Sequence, residues 1–188
     1  MPKAKNKTKA RVLSSRTVFR GKVFRVTSDE VIEPSGIRAR RDIVRHPGSV
    51  VVLAVDESRK EPRVLLEYQY RYAADDFLWE LPAGRIDEGE NELDAAKREL
   101  IEETGYTAAR WQLAFKYFAS PGFMDETMAI YLARDLRRGA AQPEEDESIR
   151  KRLFPLSAVE RMIMSGRLRD GKSISGVLWF ARRYRKPA

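Results

Sequence analysis

The 188-residue chain contains no cysteine and a single histidine. The missing cysteines exclude a disulfide scaffold, a thiolate metal site and a thiol nucleophile, and they suit a reducing compartment. One histidine, His46, makes neither a histidine metal site nor a catalytic triad, and it reads as a structural residue. Long apolar runs are absent as well. Val50 to Val55 is the longest, whereas a membrane-spanning helix needs about 18 or more apolar residues. No apolar segment follows the basic N-terminus, so no signal peptide is expected and the cytoplasm is the expected location.

What is present is enough apolar material for a core. Hydrophobic residues make up 43% and aromatic residues 10%, which excludes global disorder and suits one main domain with a small extra element. The net charge of +8 invites a nucleic-acid reading. Its distribution argues otherwise. Lys3, Lys5, Lys7, Lys9, Arg11, Arg182, Arg183, Arg185 and Lys186 sit at the two ends, and the 27 basic residues left face 28 acidic ones. Solvated tails explain that pattern better than a nucleic-acid footprint, and nucleic acid is not an expected partner.

Residues 1–10 lack apolar periodicity and are expected to form a disordered basic tail. Residues 11–45 alternate β-prone runs with turn signals. Thr17-Val18-Phe19 and Val23-Phe24-Arg25-Val26 flank Arg20-Gly21-Lys22 as a hairpin, and Pro34-Ser35-Gly36 marks a second turn. Residues 46–188 form the main domain. Ser49 to Val55 reads as a buried central strand, with Val64 to Tyr70 as its partner and a short strand from Leu78 to Leu81. Asn91 is placed to cap a helix that ends at Thr104 with Gly105 as its stop. Strands follow at Trp111–Ala119, Met128–Leu132 and Leu153-Phe154. Ser157 and Glu160 are spaced as a capping box, and Lys172 to Arg183 reads as a final helix. The class is α/β, a mixed sheet between helical layers behind a small N-terminal antiparallel β unit.

The segment Arg98-Glu99-Leu100-Ile101-Glu102-Glu103-Thr104-Gly105 carries three carboxylates on the last turns of a helix. Glu99 and Glu103 lie above one another with Glu102 beside them, while Leu93, Ala96 and Leu100 form an adjacent apolar stripe. Like charges so spaced repel, and carboxylates at the edge of a dry face need compensating charge. A hard divalent cation with oxygen ligands supplies it economically. A glutamate-rich turn alone would read as a solvated face. The wider segment tips the balance: Gly84, then Glu90, a seven-residue gap, then Arg98-Glu99 through Gly105.

The 23 residues from Gly84 to Tyr106 resemble the Nudix box. Every charged and glycine position of that pattern is matched, and Tyr106 stands where an aliphatic residue is usual. The resemblance implies an α/β/α sandwich over about residues 46–185. It assigns Glu99 and Glu103 as principal metal ligands, Glu102 as a further ligand or catalytic outer-shell partner, and the Ala83 carbonyl as a backbone ligand. Arg98 and Glu90 take salt-bridging roles. The implied cofactor is Mg²⁺, with Mn²⁺ as the alternative, and the implied reaction is hydrolysis of a nucleoside diphosphate linked to another group.

Ala119-Ser120-Pro121-Gly122-Phe123 resembles the SPG-type segment of the ADP-ribose pyrophosphatase branch, its proline 15 residues after Tyr106. That likeness implies Pro121 and Gly122 near the substrate and Arg71, at the end of Glu67-Tyr68-Gln69-Tyr70-Arg71, as a substrate contact. The branch carries its base on a later acidic loop, which places it at Glu145 with Glu147 in reserve. Branch members also exchange an N-terminal β unit across a homodimer, which implies Phe24 and Arg45 as adenine or ribose contacts. Trp79, Trp111 and Trp179 read as core. The expected activity is conversion of ADP-ribose to AMP and ribose 5-phosphate. The alternatives are another nucleoside diphosphate sugar, RNA 5′ ends, or a non-catalytic ADP-ribose-sensing domain.

Overall fold

Three consecutive β-prone runs form the first sheet of the computed structural model, which describes residues 9–139 and 150–185. β1 (Arg11–Arg20), β2 (Arg25–Ile32) and β3 (Arg38–Arg45) pair antiparallel in the order β1-β2-β3. In β2 the side chains of Thr27, Asp29 and Val31 are buried and those between them are partly exposed, the period-2 pattern of a half-covered strand. The first turn closes through Gly21 N donating to Phe24 O at 2.9 Å. The second needs Gly36 at φ +86°, a conformation that a β-carbon disfavours.

The remaining elements are β4 (Ser49–Asp56), β5 (Arg63–Arg71), β6 (Asp76–Glu80), β7 (Ala83–Arg85), α1 (Glu92–Thr104), β8 (Tyr106–Phe118), β9 (Thr127–Arg138), β10 (Arg150–Pro155), α2 (Leu156–Met164) and α3 (Gly171–Tyr184). Among the described residues seven strands form one mixed sheet, ordered β10-β5-β4-β9-β8, with β6 on β5 and β7 on β4. β4 and β9 run parallel, and β4–β5, β5–β6, β5–β10 and β4–β7 run antiparallel.

Contacts divide the chain into two compact units. Among the described residues, one comprises those up to Gly48 together with Phe118–Thr127, and the other comprises Ser49–Tyr117 together with those from Met128 on. The SPG segment, read from sequence as part of the main domain, therefore groups with the N-terminal sheet.

β4 is continuously apolar because both of its faces are covered. Val51, Leu53 and Val55 join Val159, Met162, Val177 and Phe180 of α2 and α3 in one cluster. Val50, Val52 and Ala54 join Ala95, Ala96 and Leu100 of α1 in another. The three layers expected from sequence are present. Trp79 and Trp179 pack against the first cluster, and Trp111 and Tyr106 against the second.

β4 and β5 pair only at Val55↔Val64 and Asp56↔Arg63, then diverge. The chain from β6 to β7 fills the opening, with β6 paired to the far half of β5 and β7 to the near half of β4. Val52 N donates to Pro82 O at 2.8 Å, so the connector itself is stitched into the sheet. This wedge places residues 80–85 beside α1.

α1 begins where Asn91 accepts from Asp94 N at 3.0 Å, and ends at Gly105, φ +68°. α2 departs from expectation. It starts at Leu156 with Pro155 as cap and no side-chain capping bond, so the Ser157–Glu160 box does not form. Ser157 lies inside the first turn, and its N–H donates to Glu61 Oε1 at 2.8 Å, which satisfies the group that a capping serine would have satisfied. The reading of residues 1–10 as a disordered tail rests mostly on residues 1–8, which lie outside the described residues.

α3 approaches the sheet at Gly176, where an added β-carbon would stand 3.0 Å from Leu81 Cδ1 and 3.5 Å from Ile130 Cδ1. Gly176→Leu is expected to lower stability by about 1–3 kcal/mol through overpacking. Denaturant unfolding measures this, and an unchanged midpoint would show that α3 has room to retreat.

Candidate active site

The carboxylates of α1 face the wedge. Glu99 and Glu103 are buried, at 9% and 5% exposure, in register with Ala95, Ala96 and Leu100 on the covered side of the helix. Glu103 Oε2 accepts from Ala83 N at 3.1 Å, which ties the last turn of α1 to β7. The Glu99 carboxylate lies flat against Gly84. A β-carbon there would fall 1.9 Å from Glu99 Oε1 and 2.0 Å from its Cδ, so no side chain fits at position 84 without expelling the carboxylate. This glycine is needed for close approach, and its φ is ordinary.

Arg98 organises the acids. Its Nε and Nη2 take the two oxygens of Glu90 at 3.0 and 2.9 Å, a bidentate fork. Nη1 donates to Glu99 Oε1 at 2.7 Å and to Glu102 Oε2 at 3.0 Å, and Nη2 also donates to Arg85 O at 3.0 Å. These five bonds match the five N–H donors of a guanidinium. Arg98 hydrogen bonding holds the Glu90 carboxyl below the usual range of its kind, with burial opposing more weakly.

Arg71 and Glu80 form a second pair in the wedge. Arg71 Nε and Nη2 meet Glu80 Oε1 and Oε2 at 3.0 and 2.9 Å, and the charges of Glu67 and Glu103 also raise the Arg71 pKa after that bond. Burial works against ionisation of Glu80, yet Arg71 and Lys172 outweigh it and keep its pKa below the ordinary value.

The residues named from sequence fall into three places. Ala83, Glu99, Glu102, Glu103 and Arg71 share the second unit, around the wedge and α1. Phe24, Arg45, Pro121 and Gly122 share the first. Glu145 and Glu147 lie outside the described residues.

In the first unit Arg45 is fully engaged: Nε donates to Thr27 Oγ1 at 3.0 Å, Nη1 to Asp125 Oδ2 at 3.1 Å, and Nη2 to Asp29. Phe24 packs on Phe19 with ring centres 5.8 Å apart and lines a cavity of about 390 Å³ with Arg20, Lys22, Arg25, Arg45 and Asp125. Pro121 and Gly122 form a turn closed by Phe123 N and Met124 N donating to Ser120 O, and Val44 N donates to Phe123 O at 2.8 Å. His46 Nδ1 accepts from Gly48 N at 3.1 Å, a structural role.

Sequence reasoning passed over Glu80, Lys172 and Asp125. A signal existed for the first, since an acid inside an apolar strand, cross-paired with Glu67 on β5, must have a partner when buried.

The donor set suits a hard cation. Buried carboxylates at Glu99 and Glu103, held by an arginine, a backbone amide and a glycine that leaves no side chain between, are oxygen ligands of the type Mg²⁺ and Mn²⁺ take. Among the described residues no three His or acidic side chains already converge on one point.

A model of the NUDIX domain matches residues 45–175. The chain belongs to the Nudix family. An ADP-ribose pyrophosphatase of Mycobacterium tuberculosis is 36% identical over 170 residues, 88% of this chain and 80% of that protein. A methanol dehydrogenase activator of Bacillus methanolicus is 33% identical over 169 residues, 89% and 90% of the two chains. An ADP-ribose pyrophosphatase of Bacillus subtilis is 33% identical over 165 residues, 87% and 88%. The crystal structure of an ADP compounds hydrolase superposes with a TM-score of 0.80 at 23% identity, covering 95% of this chain and 96% of that one, a likeness of fold. The Nudix box read from Gly84 to Tyr106 and the family match agree, and the two pyrophosphatases support a Nudix pyrophosphohydrolase of the ADP-ribose branch.

Two outcomes follow from this geometry. Gly84→Ala should fold with a thermal midpoint near the parent's but bind Mn²⁺ at least about tenfold more weakly by calorimetry, because the Glu99 carboxylate is displaced. Unaltered affinity would remove Glu99 from the ligand set. Because the Glu90 pKa is lowered on folding, its contribution is present above the ordinary value of 4.5 and is lost as pH falls through the folded value. Glu90→Gln should therefore lower the thermal midpoint at pH 7 and flatten its decline below pH 4.5. A parallel decline in both proteins would contradict the pairing.

Proposed function

We propose that this chain is a Mg²⁺-dependent hydrolase that splits the diphosphate of ADP-ribose into AMP and ribose 5-phosphate. One observation carries the reading: the buried Glu99 carboxylate lies where a β-carbon at Gly84 would fall 1.9 Å from its Oε1, beside the buried Glu103 held by Ala83 N. When bound, a divalent cation would neutralise diphosphate charge and acidify water at the reacting phosphorus. Glu99, Glu103 and the Ala83 carbonyl would hold it, with Glu102 as a further ligand or outer-shell partner and Mn²⁺ as a substitute ion.

In the reaction, a water oxygen forms a bond to one phosphorus, the bridging P–O bond breaks, and the bridging oxygen leaves with the other phosphate. Glu145, or failing it Glu147, accepts the water proton, as a carboxylate at hydrogen-bond reach can. Arg71 faces the diphosphate as a planar cation, which suits phosphate better than a point charge does.

Phe24, Pro121, Gly122 and Arg45 belong to the substrate-binding surface of the first unit. Phe24 offers a ring for stacking on adenine, and Arg45, which lines the same cavity, a guanidinium for adenine or ribose. The protein works in the cytoplasm as a homodimer joined through the N-terminal β unit. The exposed apolar side chains of Val12, Val18, Phe19, Val23 and Ile37 in that unit support such an assembly. ADP-ribose as substrate draws its support from the two relatives of that activity and from the Ser120-Pro121-Gly122 segment.

A panel of ADP-ribose, sugar nucleotides, dinucleoside polyphosphates and triphosphorylated RNA, assayed with Mg²⁺, tests this reading. ADP-ribose should give the highest kcat/KM, with AMP released. A preference for RNA ends would overturn the substrate assignment, and no turnover of any diphosphate would overturn the enzyme itself. Glu103→Gln should lower kcat by roughly 100-fold or more, the scale of losing a charge-stabilising group. Deleting residues 1–10 should leave ADP-ribose turnover nearly unchanged; a large loss would give the tail a part in the reaction.

A further inference from the structure

Glu80 ends β6 with 1% of its surface exposed. Besides the two nitrogens of Arg71, its carboxylate takes Lys172 Nζ from the first turn of α3. Lys172, itself only 10% exposed, also pairs with Asp170 at 3.1 Å. Asp170 caps α3, accepting from Ser173 N at 3.0 Å, and Ser173 Oγ accepts from Leu81 N at 2.6 Å. The bonds close a ring that leaves the backbone at Leu81 and returns at its neighbour Glu80. A short buried circuit of this kind locks the start of α3 to the end of β6.

Stability alone does not account for it. Buried ion pairs are often no better than apolar residues of similar size, because desolvation cancels the attraction. The arrangement is also lopsided. Lys172 and Glu80 are enclosed, whereas 39% of the Arg71 side chain is exposed. The carboxylate grips Arg71 through Nε and Nη2, and Nη1 stands outside the fork. A flexible cation is thereby held by one edge from behind, with Lys172 holding the carboxylate in turn. Arg71 also stands in the field of Glu103, a candidate metal ligand.

We propose that Glu80, backed by Lys172, is a positioning residue for diphosphate binding: it fixes the Arg71 guanidinium edge-on so that its outer edge meets phosphate oxygens. This rests on the reading of Arg71 as the diphosphate contact. Pre-set geometry spares the substrate the cost of ordering a long side chain, so the effect is on binding. The same network makes α3, remote in sequence from the Nudix box, part of the substrate site.

The test is a double-mutant cycle on KM for ADP-ribose, with thermal midpoints measured alongside. Arg71→Ala should raise KM about tenfold or more, and Glu80→Gln several-fold, with kcat within about threefold of the parent. The double variant should be no worse than Arg71→Ala alone, because Glu80 acts through Arg71. If Glu80→Gln raises KM by the same factor with and without Arg71, or lowers only the thermal midpoint, the positioning role is overturned. If Arg71→Ala itself leaves KM unchanged, the assignment of Arg71 fails, a result separate from the cycle. Should Glu80→Gln not fold, Lys172→Met enters the same cycle with the same expected outcome.

Discussion

Five hydrogen bonds from one guanidinium hold the acidic turn together. Three glutamates at positions 99, 102 and 103 would repel on an isolated helix. Arg98 bonds two of them, Glu99 and Glu102, anchors itself on Glu90 and reaches the carbonyl of Arg85. The cation thus joins the helix, the strand before it and the intervening loop. Lysine could supply the charge but not the planar, five-donor geometry. With that charge matched, the Glu99 and Glu103 carboxylates face the wedge.

The sheet makes that wedge. If β4 and β5 paired along their whole length, residues 80–85 would lie on the surface and Glu99 would face solvent. Because the two strands part after two residue pairs, β6 and β7 enter between them, and Gly84 comes under α1. Two apolar clusters cover the two faces of β4 beside the opening. The fold therefore sets the position of the site through strand divergence, and the site's chemistry through Arg98.

Much of this was legible in the residues. The unbroken apolar run of β4, the cap at Asn91 and the stop at Gly105 each have a local cause, and each element lies where that cause puts it. The box spacing located Glu99 and Glu103 because a fixed separation on a helix is a fixed direction. Divergence of β4 from β5 was not legible, since no local signal in either strand announces where pairing ends. The helix start at Leu156 was missed because the acid that meets Ser157 N, Glu61, is 96 residues away. The grouping of Phe118–Thr127 with the N-terminal sheet was missed for the same reason, since the bonds of Val44 and Asp125 that bind it are long-range. The partners of Glu80 escaped because they come from β5 and α3, and only the folded chain brings them together.

The proposed metal site at the carboxylate turn is open to direct measurement. A crystal grown with Mn²⁺ and a non-hydrolysable α,β-methylene analogue of ADP-ribose answers this through anomalous scattering. Peaks within about 2.4 Å of Glu99 and Glu103 oxygens, with the methylene-bridged phosphates on the same ions, are the predicted result. Ordered analogue with no anomalous density at those two carboxylates would contradict it.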